Sequence, residues 1–364
     1  MEEINTDPAT QLQLVVSGTH LVSEYGLTIK DIQNDGFKVD EKVEMLLSSD
    51  SPVAITKSLS LASIGFSEAF DRLSPDIVVL LGDRYEMLAA GISAMIARIP
   101  IAHIHGGEAT EGLIDEAIRH SLTKMSHIHF VTHESYKKRV AQMGENCSLI
   151  FNFGAPGLDQ VFKLKLLTRE QLLADLNLPL DKPFFLFTYH PLTLEKNDEQ
   201  SIQNIFSALQ KFKDYSIIFT GTNADTENFM IKKFVLEFIN KLDGSAKLFS
   251  SLGSLKYLSA LKHCEAVLGN SSSGIIEAPA LKTATVNIGD RQKGRVRAES
   301  IIDVGFNTDR IVQGIAEAIS PNFQEKIKSM DCPFGDGTAS KKIKNKLKEI
   351  DLSDITRKSF RDIA

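Results

Sequence analysis

The sequence has few cysteines, and they are too far apart for a structural role. The three are Cys147, Cys264 and Cys332. A zinc site or a disulfide framework typically needs closely spaced cysteines, such as a CxxC pair. The cysteines therefore favour neither a zinc-binding domain nor a small disulfide-rich one.

Long apolar runs and an excess of positive charge are also lacking. No run approaches the roughly 20 apolar residues that a membrane-spanning helix needs, and the chain does not start like a signal peptide. The formal net charge is −6 at pH 7, which does not favour nucleic acid as a partner. We therefore expect a cytoplasmic protein that binds neither a membrane nor nucleic acid.

Short apolar segments alternate with longer amphipathic ones. In segment 114–125 the apolar residues recur every three or four positions, which predicts a helix. The alternation predicts an α/β fold, in which parallel sheets are covered by helices on both faces. The predicted strands are segments 11–18, 76–83, 99–107, 127–133, 181–191, 215–223, 246–252, 264–270 and 283–290.

A chain of 364 residues is longer than a single hydrophobic core usually accommodates, so we expect two domains. The strand pattern restarts after a turn-rich stretch at 154–160, which predicts domains at 1–160 and 161–344. The C-terminal helix at 345–364 is expected to pack back on the first domain. Doubly wound sheets bind ligands at the carboxyl ends of their strands, so we expect an inter-domain cleft to hold the ligand.

Stretch 268–281 (LGNSSSGIIEAPAL) predicts a strand, a polar turn and a helix. The free N–H groups at the start of such a helix suit a phosphate, and Ser271 and Ser272 would add hydroxyl donors. Glu277, one turn later, would accept hydrogen bonds from ribose hydroxyls. A serine that only caps the helix is the alternative. Arg291, after the next strand, has the guanidinium fork that suits phosphate oxygens.

Stretch 103–120 (HIHGGEATEGLIDEAIRH) is dense in histidines and acids. His103 and His105 alternate along a predicted strand, so we expect them to face the same side. A zinc site is one interpretation, but the usual HxxxH and CxxC spacings are absent. An acid–base site in which Glu108 and Asp115 move protons is the better interpretation.

Two further residues have open roles. Asp83, at the end of a predicted strand, would be a base, a helix cap or the partner of an arginine, and capping is favoured. His190, after another strand, would enter the site from the second domain or would be a buried structural residue.

In order and spacing, these motifs resemble the hydrolysing UDP-N-acetylglucosamine 2-epimerases of sialic-acid biosynthesis and their close bacterial relatives. The resemblance runs along nearly the whole chain. It is carried by GTHL (18–21), LGDRYE (81–86), HIHGGE (103–108), DEAIRHS (115–121), YHP (189–191), GNSSSG (269–274), IGDRQKGR (288–295) and PFGDGTAS (333–340).

The resemblance implies a GT-B-like fold: two Rossmann-like domains with a UDP-linked 2-acetamido sugar between them. UDP would be held largely by the second domain. The catalytic residues that it implies are Asp83, Glu108, Asp115, Arg119 and His190. The substrate- and UDP-binding residues that it implies are His20, Arg84, His105, Asn223, Ser271, Ser272, Glu277 and Arg291.

The family mechanism eliminates UDP across C1–C2 to give a 2-acetamidoglycal, and hydration then yields free N-acetylmannosamine. No metal, nicotinamide or other cofactor is required. We expect Asp83 or Glu108 to act as the base at C2 and Asp115 to assist the addition of water. Relatives outside the closest bacterial group have an acid in place of His105, and the loop before Asp115 is one residue longer here. The division of roles between His105 and Glu108 therefore stays open.

The start of the chain also departs from the family. Its members usually begin with a strand, a GTRA-YG-like loop and a helix, and about 20 residues of this kind are absent here. We expect the natural start to lie upstream, the chain as written to be poorly stable and weakly active, and a gap to separate the strands at 11–18 and 76–83.

Other activities and partners fit the same motifs. One alternative substrate is UDP-N,N′-diacetylbacillosamine, on the route to legionaminic acid. A GT-B glycosyltransferase and an inactive sugar-nucleotide-binding protein are further alternatives. The family also suggests a homo-oligomer, either a dimer or a tetramer.

Overall fold

The computed structural model of the chain describes residues 1–49, 51–111, 113–190, 199–221, 228–241 and 244–362. From the N-terminus its helices and strands are α1 (Glu2–Asn5), β1 (Val15–Ser17), α2 (Ile29–Asn34), β2 (Glu41–Val43), α3 (Pro52–Leu73), β3 (Val78–Leu81), α4 (Tyr85–Ile96), β4 (Ile101–Ile104), α5 (Ile114–Met125), β5 (Ile128–Val131), α6 (Glu134–Gln142) and β6 (Ile150–Asn152). They continue with α7 (Gly157–Lys163), α8 (Arg169–Asp175), β7 (Phe184–Thr188), α9 (Glu199–Leu209), β8 (Ser216–Thr220), α10 (Asn228–Ile239), β9 (Ala246–Phe249), α11 (Gly253–His263), β10 (Ala266–Gly269), α12 (Ser272–Ala280), β11 (Thr285–Ile288), β12 (Ile301–Val304), α13 (Thr308–Ala318), α14 (Pro321–Lys328) and α15 (Ala339–Glu349).

The chain divides into two compact units. The first unit comprises Met1–Glu108, Ile114–Gly154 and Thr338–Ala364, so that α15 belongs to it. The second unit comprises Ala109–Leu113 and Ala155–Gly337. The boundary at residue 160 between independently folding domains stays a prediction.

The first unit contains two parallel sheets. β1 pairs with β2, and a separate sheet has the strand order β3-β4-β5-β6. Helices α3 and α4 pack on these strands through a shared apolar core that includes Phe66, Phe70 and Leu122. Within the described residues no hydrogen-bonded ladder joins β1 to β3. The upstream segment predicted from the sequence is not tested by this arrangement.

The second unit contains one parallel sheet of six strands, in the order β12-β11-β10-β7-β8-β9. All residues of β7 and β10 are buried, as expected for a sheet covered on both faces. β7 and β10 are neighbours, and the strand order reverses between them. Such a switch point leaves a crevice at the carboxyl ends of the two strands, where ligands bind in sheets of this kind.

Each strand predicted from the sequence contains an observed strand, and α5 occupies the helix predicted at 114–125. Three strands, β2, β6 and β12, were not predicted. They have three or four residues each, and at most one residue in each strand is buried. A short, half-buried strand lacks the apolar run by which the others were predicted. Every helix in the described part of the chain is too short or too polar to cross a lipid bilayer.

Candidate active site

The chain leaves β4 through a tight turn at residues 105–107. His105 and Gly107 have φ angles of 70° and 76°, in the left-handed region. A side chain at Gly107 would bring its Cβ within 2.6 Å of the carbonyl oxygen of Tyr136, so only glycine fits there. The turn brings His105 back against Glu108, with Nδ1 and Oε1 2.6 Å apart.

Glu108 is buried, with 3% of its surface exposed. The hydroxyl of Thr132, which follows β5, donates a hydrogen bond of 3.1 Å to the same Oε1 that faces His105. A buried carboxylate needs such donors, because desolvation disfavours its charge. His105 and Thr132 therefore help to hold Glu108 in one orientation.

Arg119 is fully buried and connects three pieces of chain. Its Nη1 donates to Glu116 at 2.6 Å and to the carbonyl oxygen of Glu108 at 3.1 Å, and its Nη2 donates to Asp83. Burial works against the charged guanidinium, but Asp83, Glu108 and Glu116 outweigh it and raise the pKa of Arg119. We call Asp83, His105, Glu108, Glu116 and Arg119 the acid cluster.

Asp115 lies in the first turn of α5, next to the acid cluster. Burial, and secondly the charge of Asp83, raises the pKa of the Asp115 carboxyl. A carboxyl group with a raised pKa keeps its proton to higher pH and is suited to act as an acid. Glu116 also pairs with His120 on the same helix, with Oε1 and Nε2 3.0 Å apart.

Two expectations from the sequence are wrong in this region. His103 does not share a side with His105, because the strand ends at Ile104 and the chain turns left-handed. The ring of His103 is buried between the carbonyl of Gly82 (2.8 Å) and the hydroxyl of Thr123 (3.3 Å). Burial lowers the pKa of His103 to about 4, so this histidine is neutral and structural.

The second wrong expectation is that Asp83 caps α4. The N-cap residue of α4 is Arg84, which makes no side-chain capping bond. Asp83 instead forms an ion pair with Arg119, one of the alternatives left open by the sequence. The Arg84 side chain is 42% exposed and lies 3.7 Å from Glu86.

His20 belongs to the β1–β2 part of the first unit, in a short turn at Gly18–Leu21. Its Nδ1 lies 2.7 Å from the hydroxyl of Thr28, and the ring is exposed. No described contact ties His20 to the acid cluster, so its predicted role in binding substrate stays a prediction.

In the second unit, the carboxyl ends of β7 and β10 approach each other closely. Gly269 has a φ of 118°, and a Cβ there would lie 2.0 Å from the carbonyl oxygen of Thr188. Ser271 then caps α12, its hydroxyl accepting from the backbone N–H of Ser273. The capping alternative is thus observed, and Ser272 occupies the first position of the helix.

Asn270, between that glycine and the cap, joins three loops. Its side-chain amide donates to the carbonyl of His190 at 2.8 Å and accepts from the N–H of His190 at 2.7 Å. Its own carbonyl oxygen accepts from Arg291 at 3.2 Å and from Gln292 at 2.8 Å. We call Asn270, His190, Arg291 and Gln292 the asparagine hub.

The imidazole of His190 is buried, with 7% of the residue exposed. Burial, and secondly the charge of Arg291, lowers the pKa of His190 to about 3. Nδ1 of His190 and Oε1 of Gln292 are buried and have no hydrogen-bond partner in the described part of the chain. Buried polar atoms of this kind are costly unless a ligand or water binds them. Asn223, the other residue predicted near the diphosphate, lies outside the described residues.

Glu277 lies one turn into α12 and is partly buried. Its Oε1 is 3.6 Å from the position that a Cβ on Gly157 would take, which places it beside the start of α7. Tyr257 of α11 lies beside Ser273 and Ser271, and burial raises the pKa of its hydroxyl to about 12. The sequence analysis missed Tyr257, Thr132 and Gln292 as parts of a site. Gln292 alone carried a signal, as the neighbour of Arg291 in a loop that follows a strand.

Asp83, Glu108 and Arg119 thus meet in the first unit, and Asp115 lies next to them. Ser271, Arg291 and His190 meet in the second unit around Asn270. Among the described residues, no group of three or more His, Cys, Asp or Glu side chains is placed to hold a metal ion. The first arrangement can move protons, and the second offers backbone and side-chain donors to an anion.

Comparison with known proteins identifies the family of this chain. The sequence profile of the family described as UDP-N-acetylglucosamine 2-epimerase matches residues 2–348. The GDP/UDP-N,N′-diacetylbacillosamine 2-epimerase (hydrolyzing) of Campylobacter jejuni is 43% identical, over 99% of this chain and 94% of the relative. The UDP-N,N′-diacetylbacillosamine 2-epimerase (hydrolyzing) of Legionella pneumophila is 35% identical, over 97% of this chain and 92% of the relative.

Solved structures give the fold. The crystal structure of UDP-GlcNAc 2-epimerase from Neisseria meningitidis bound to UDP-GlcNAc superimposes with a TM-score of 0.82. The match covers 96% of this chain and 95% of that one, at 20% sequence identity. The fold is accordingly GT-B-like, as the sequence predicted.

Proposed function

Because this chain belongs to the UDP-N-acetylglucosamine 2-epimerase family and is a hydrolysing UDP-sugar 2-epimerase, we propose which of its residues perform each part of the reaction. The acid cluster and Asp115 carry out the proton transfers on the sugar. The asparagine hub and the N-terminus of α12 bind the UDP. The observation that carries the proposal is the acid cluster, in which the buried Arg119 binds the carboxylates of Asp83 and Glu116 and the backbone carbonyl of Glu108.

The first half-reaction removes the C2 proton and breaks the bond between C1 and the diphosphate oxygen. Glu108 or Asp83 takes the proton, and the electron pair forms the C1–C2 double bond of the 2-acetamidoglycal. The departing diphosphate gains charge, which Arg291 and the N–H group of Ser272 stabilise. His190 stays neutral at physiological pH because its pKa is about 3, so it orients the ligand through Nδ1 without carrying charge.

The second half-reaction adds water to the glycal. Asp115, whose pKa is raised, returns a proton to C2 from the face opposite to its removal. The oxygen of water bonds to C1, and the proton that the water loses passes to the Asp115 carboxylate. The proton taken from C2 in the first half-reaction is released to solvent. The products are UDP and the free 2-epimer. Arg119 does not exchange protons in this scheme; it fixes the positions of Asp83 and Glu116.

We propose UDP-N,N′-diacetylbacillosamine as the first substrate to test, because two relatives that align over nearly the whole chain carry that name. UDP-N-acetylglucosamine is the second candidate. It is supported by the family description and by the ligand of the Neisseria meningitidis structure. The two sugars differ at C4 and C6, so a comparison of turnover separates them.

The test is a UDP-release assay on the full chain with each sugar nucleotide and no acceptor. A GDP-linked sugar is included because the Campylobacter jejuni relative is named for both nucleotides. We expect release of the nucleotide together with a free mannose-configured sugar. Release only when an acceptor is added would support a glycosyltransferase, and binding of UDP without any release would support an inactive binding protein.

Three variants test the acid–base assignment. Asp83→Asn, Glu108→Gln and Asp115→Asn should each lower turnover by roughly 10²–10⁴-fold, with UDP affinity largely unchanged. The exposed Asp35→Asn is the matched control. Near-wild-type turnover in all three variants would contradict the assignment. A cytoplasmic location and a homo-oligomeric state stay proposals alongside it.

A further inference from the structure

The five residues that follow Glu108 leave the first unit. Ala109–Leu113 belongs to the second unit, although the residues on both sides of it, Glu108 and Ile114, belong to the first. The first and last of the five are 7% and 8% exposed. We call Ala109–Leu113 the linking segment. Burial at both of its ends means that it is packed against the second unit and is not a solvated loop.

Lys293 of the second unit contacts the linking segment through its backbone and through its side chain. The backbone N–H of Glu111 donates to the carbonyl oxygen of Lys293 at 3.3 Å. The ammonium of Lys293 lies 3.4 Å from Oε2 of Glu111. Because both side chains are more than half exposed, this ion pair contributes little to the stability of the fold. Its effect is to fix where the linking segment lies.

Gly294, the next residue, lets the two backbones approach. Its φ of 87° is in the left-handed region, which favours glycine. A Cβ at this position would lie 2.9 Å from the Cβ of Ala109 and 3.5 Å from Cγ of Glu111. Two carbon atoms do not pack at 2.9 Å. A side chain at residue 294 would therefore displace the linking segment.

The linking segment connects residues of both proposed sites along the chain. Glu108 directly precedes it, and Asp115 follows it by two residues. On the other side of the contact, Lys293 directly follows Arg291 and Gln292 of the asparagine hub. A movement of the loop that holds this arginine is therefore transmitted, through the lysine, to the segment that begins next to Glu108.

We propose that Glu111, Lys293 and Gly294 are positioning residues, which align Glu108 with the sugar when UDP binds at the asparagine hub. The inference rests on the proposed function and adds residues that do not touch the reacting atoms. UDP orders the loop of Arg291, that loop fixes the linking segment, and the segment fixes the backbone of Glu108. Part of the binding energy of the nucleotide is in this way used to align a base at a weakly acidic C–H bond.

Hydrogen–deuterium exchange of the full chain, with and without UDP, tests this coupling without any turnover. The amide of Glu111 reports the contact directly, because its N–H is bound to the carbonyl of Lys293. In wild type, saturating UDP should slow exchange in the peptide that contains the linking segment by about fivefold or more. Gly294→Ala should abolish that slowing. Gly305→Ala, at an exposed glycine where a Cβ would meet no atom within 4 Å, is the matched control.

Charge reversal tests the ion pair in turnover. Glu111→Lys and Lys293→Glu should each lower kcat about threefold to tenfold, because each places two like charges together. KM and the melting temperature should change little. The double variant Glu111→Lys/Lys293→Glu, in which the charges are exchanged, should recover most of the lost kcat. Glu317→Lys, an exposed charge reversal on α13, is the control and should change nothing.

The possible results separate this inference from the proposed reaction. Unchanged exchange in the linking segment when UDP binds, or a double variant no more active than the single ones, overturns the inference alone. A melting temperature that falls in parallel with kcat would show a merely structural role and would overturn it too. Exchange that UDP slows, in a chain that releases UDP from no sugar nucleotide, would support the coupling and contradict the proposed reaction instead.

Discussion

The acid cluster of the first unit is held together by charges, whereas the asparagine hub of the second unit is held together by an amide and backbone groups. Arg119 meets two carboxylates through its guanidinium. Asn270 meets His190 and Arg291 through hydrogen bonds in which at least one partner is neutral. Both regions lie at the carboxyl ends of parallel strands.

Under the proposed roles, this difference separates proton transfer from binding. Carboxylates that share an arginine change their affinity for protons when one of them is protonated, which suits a site that moves protons. An amide does not titrate, and so it keeps the same donors and acceptors through both half-reactions. A fixed set of donors is what a leaving diphosphate needs.

Among the variants that test this comparison, Arg119→Met should have the largest effect. Removing a buried cation leaves Asp83 and Glu116 without their shared partner, so we expect the free energy of unfolding to fall by about 3–5 kcal/mol and turnover to vanish. Urea denaturation measures the first effect and UDP release the second. The exposed Arg98→Met is the control. A loss below 1 kcal/mol would mean that charge does not hold the acid cluster together.

Asn270→Ala should have a smaller effect on stability. It removes two buried hydrogen bonds to His190, each worth about 1 kcal/mol, so we expect a loss of about 2 kcal/mol. UDP affinity measured by calorimetry should fall about tenfold, because His190 and the loop after β10 are no longer aligned. Asn322→Ala, on an exposed position of α14, is the matched control. Unchanged UDP affinity would show that the asparagine hub is not part of the UDP-binding site.

Asp115→Asn should lower turnover without lowering the stability of the fold. The folded-state pKa of Asp115 is raised, so between the unfolded value of 3.8 and the raised value the folded chain binds more protons. Stability from this group therefore falls as pH rises through that window. At pH 7 the variant should melt at the same temperature or higher, although its turnover is low. A clear drop in melting temperature would contradict the raised pKa.

The smallest expected effect concerns His190→Gln. With a folded pKa of about 3 against an ordinary 6.5, His190 is neutral in the folded chain while the unfolded chain binds its proton. Its contribution to stability is thus full above pH 6.5 and is lost as the pH falls towards 3. The stability difference between wild type and variant should shrink between pH 7 and pH 4.5 in thermal melts. The pH profile of turnover between pH 6 and 8 should keep its shape, and a changed shape would assign a titrating role to His190.

The sequence predicted the fold well because its signals are local. Apolar runs ending in glycine or aspartate, such as those before Gly82 and Gly269, mark buried parallel strands without reference to the rest of the chain. The candidate residues at the strand ends follow from the same pattern, because the carboxyl ends of parallel strands meet at one edge.

What the sequence could not predict depends on partners far along the chain or on backbone geometry. Asp83 looked like a helix cap because its partner Arg119 is 36 residues away. His103 and His105 looked equivalent because alternation assumes an extended backbone, and the left-handed φ at His105 ends it. The sequence did not distinguish Asn270 from the polar residues around it, because its side chain hydrogen-bonds to His190, 80 residues earlier.

The most direct test of the acid–base assignment is incubation of the full chain with UDP-N,N′-diacetylbacillosamine or UDP-N-acetylglucosamine in D₂O, followed by proton NMR of the products. Removal of the C2 proton and its return from solvent predict UDP and a free 2-epimer that carries deuterium at C2. A released sugar that retains its original hydrogen at C2 would contradict proton transfer by the acid cluster, and with it the division of work between the two units.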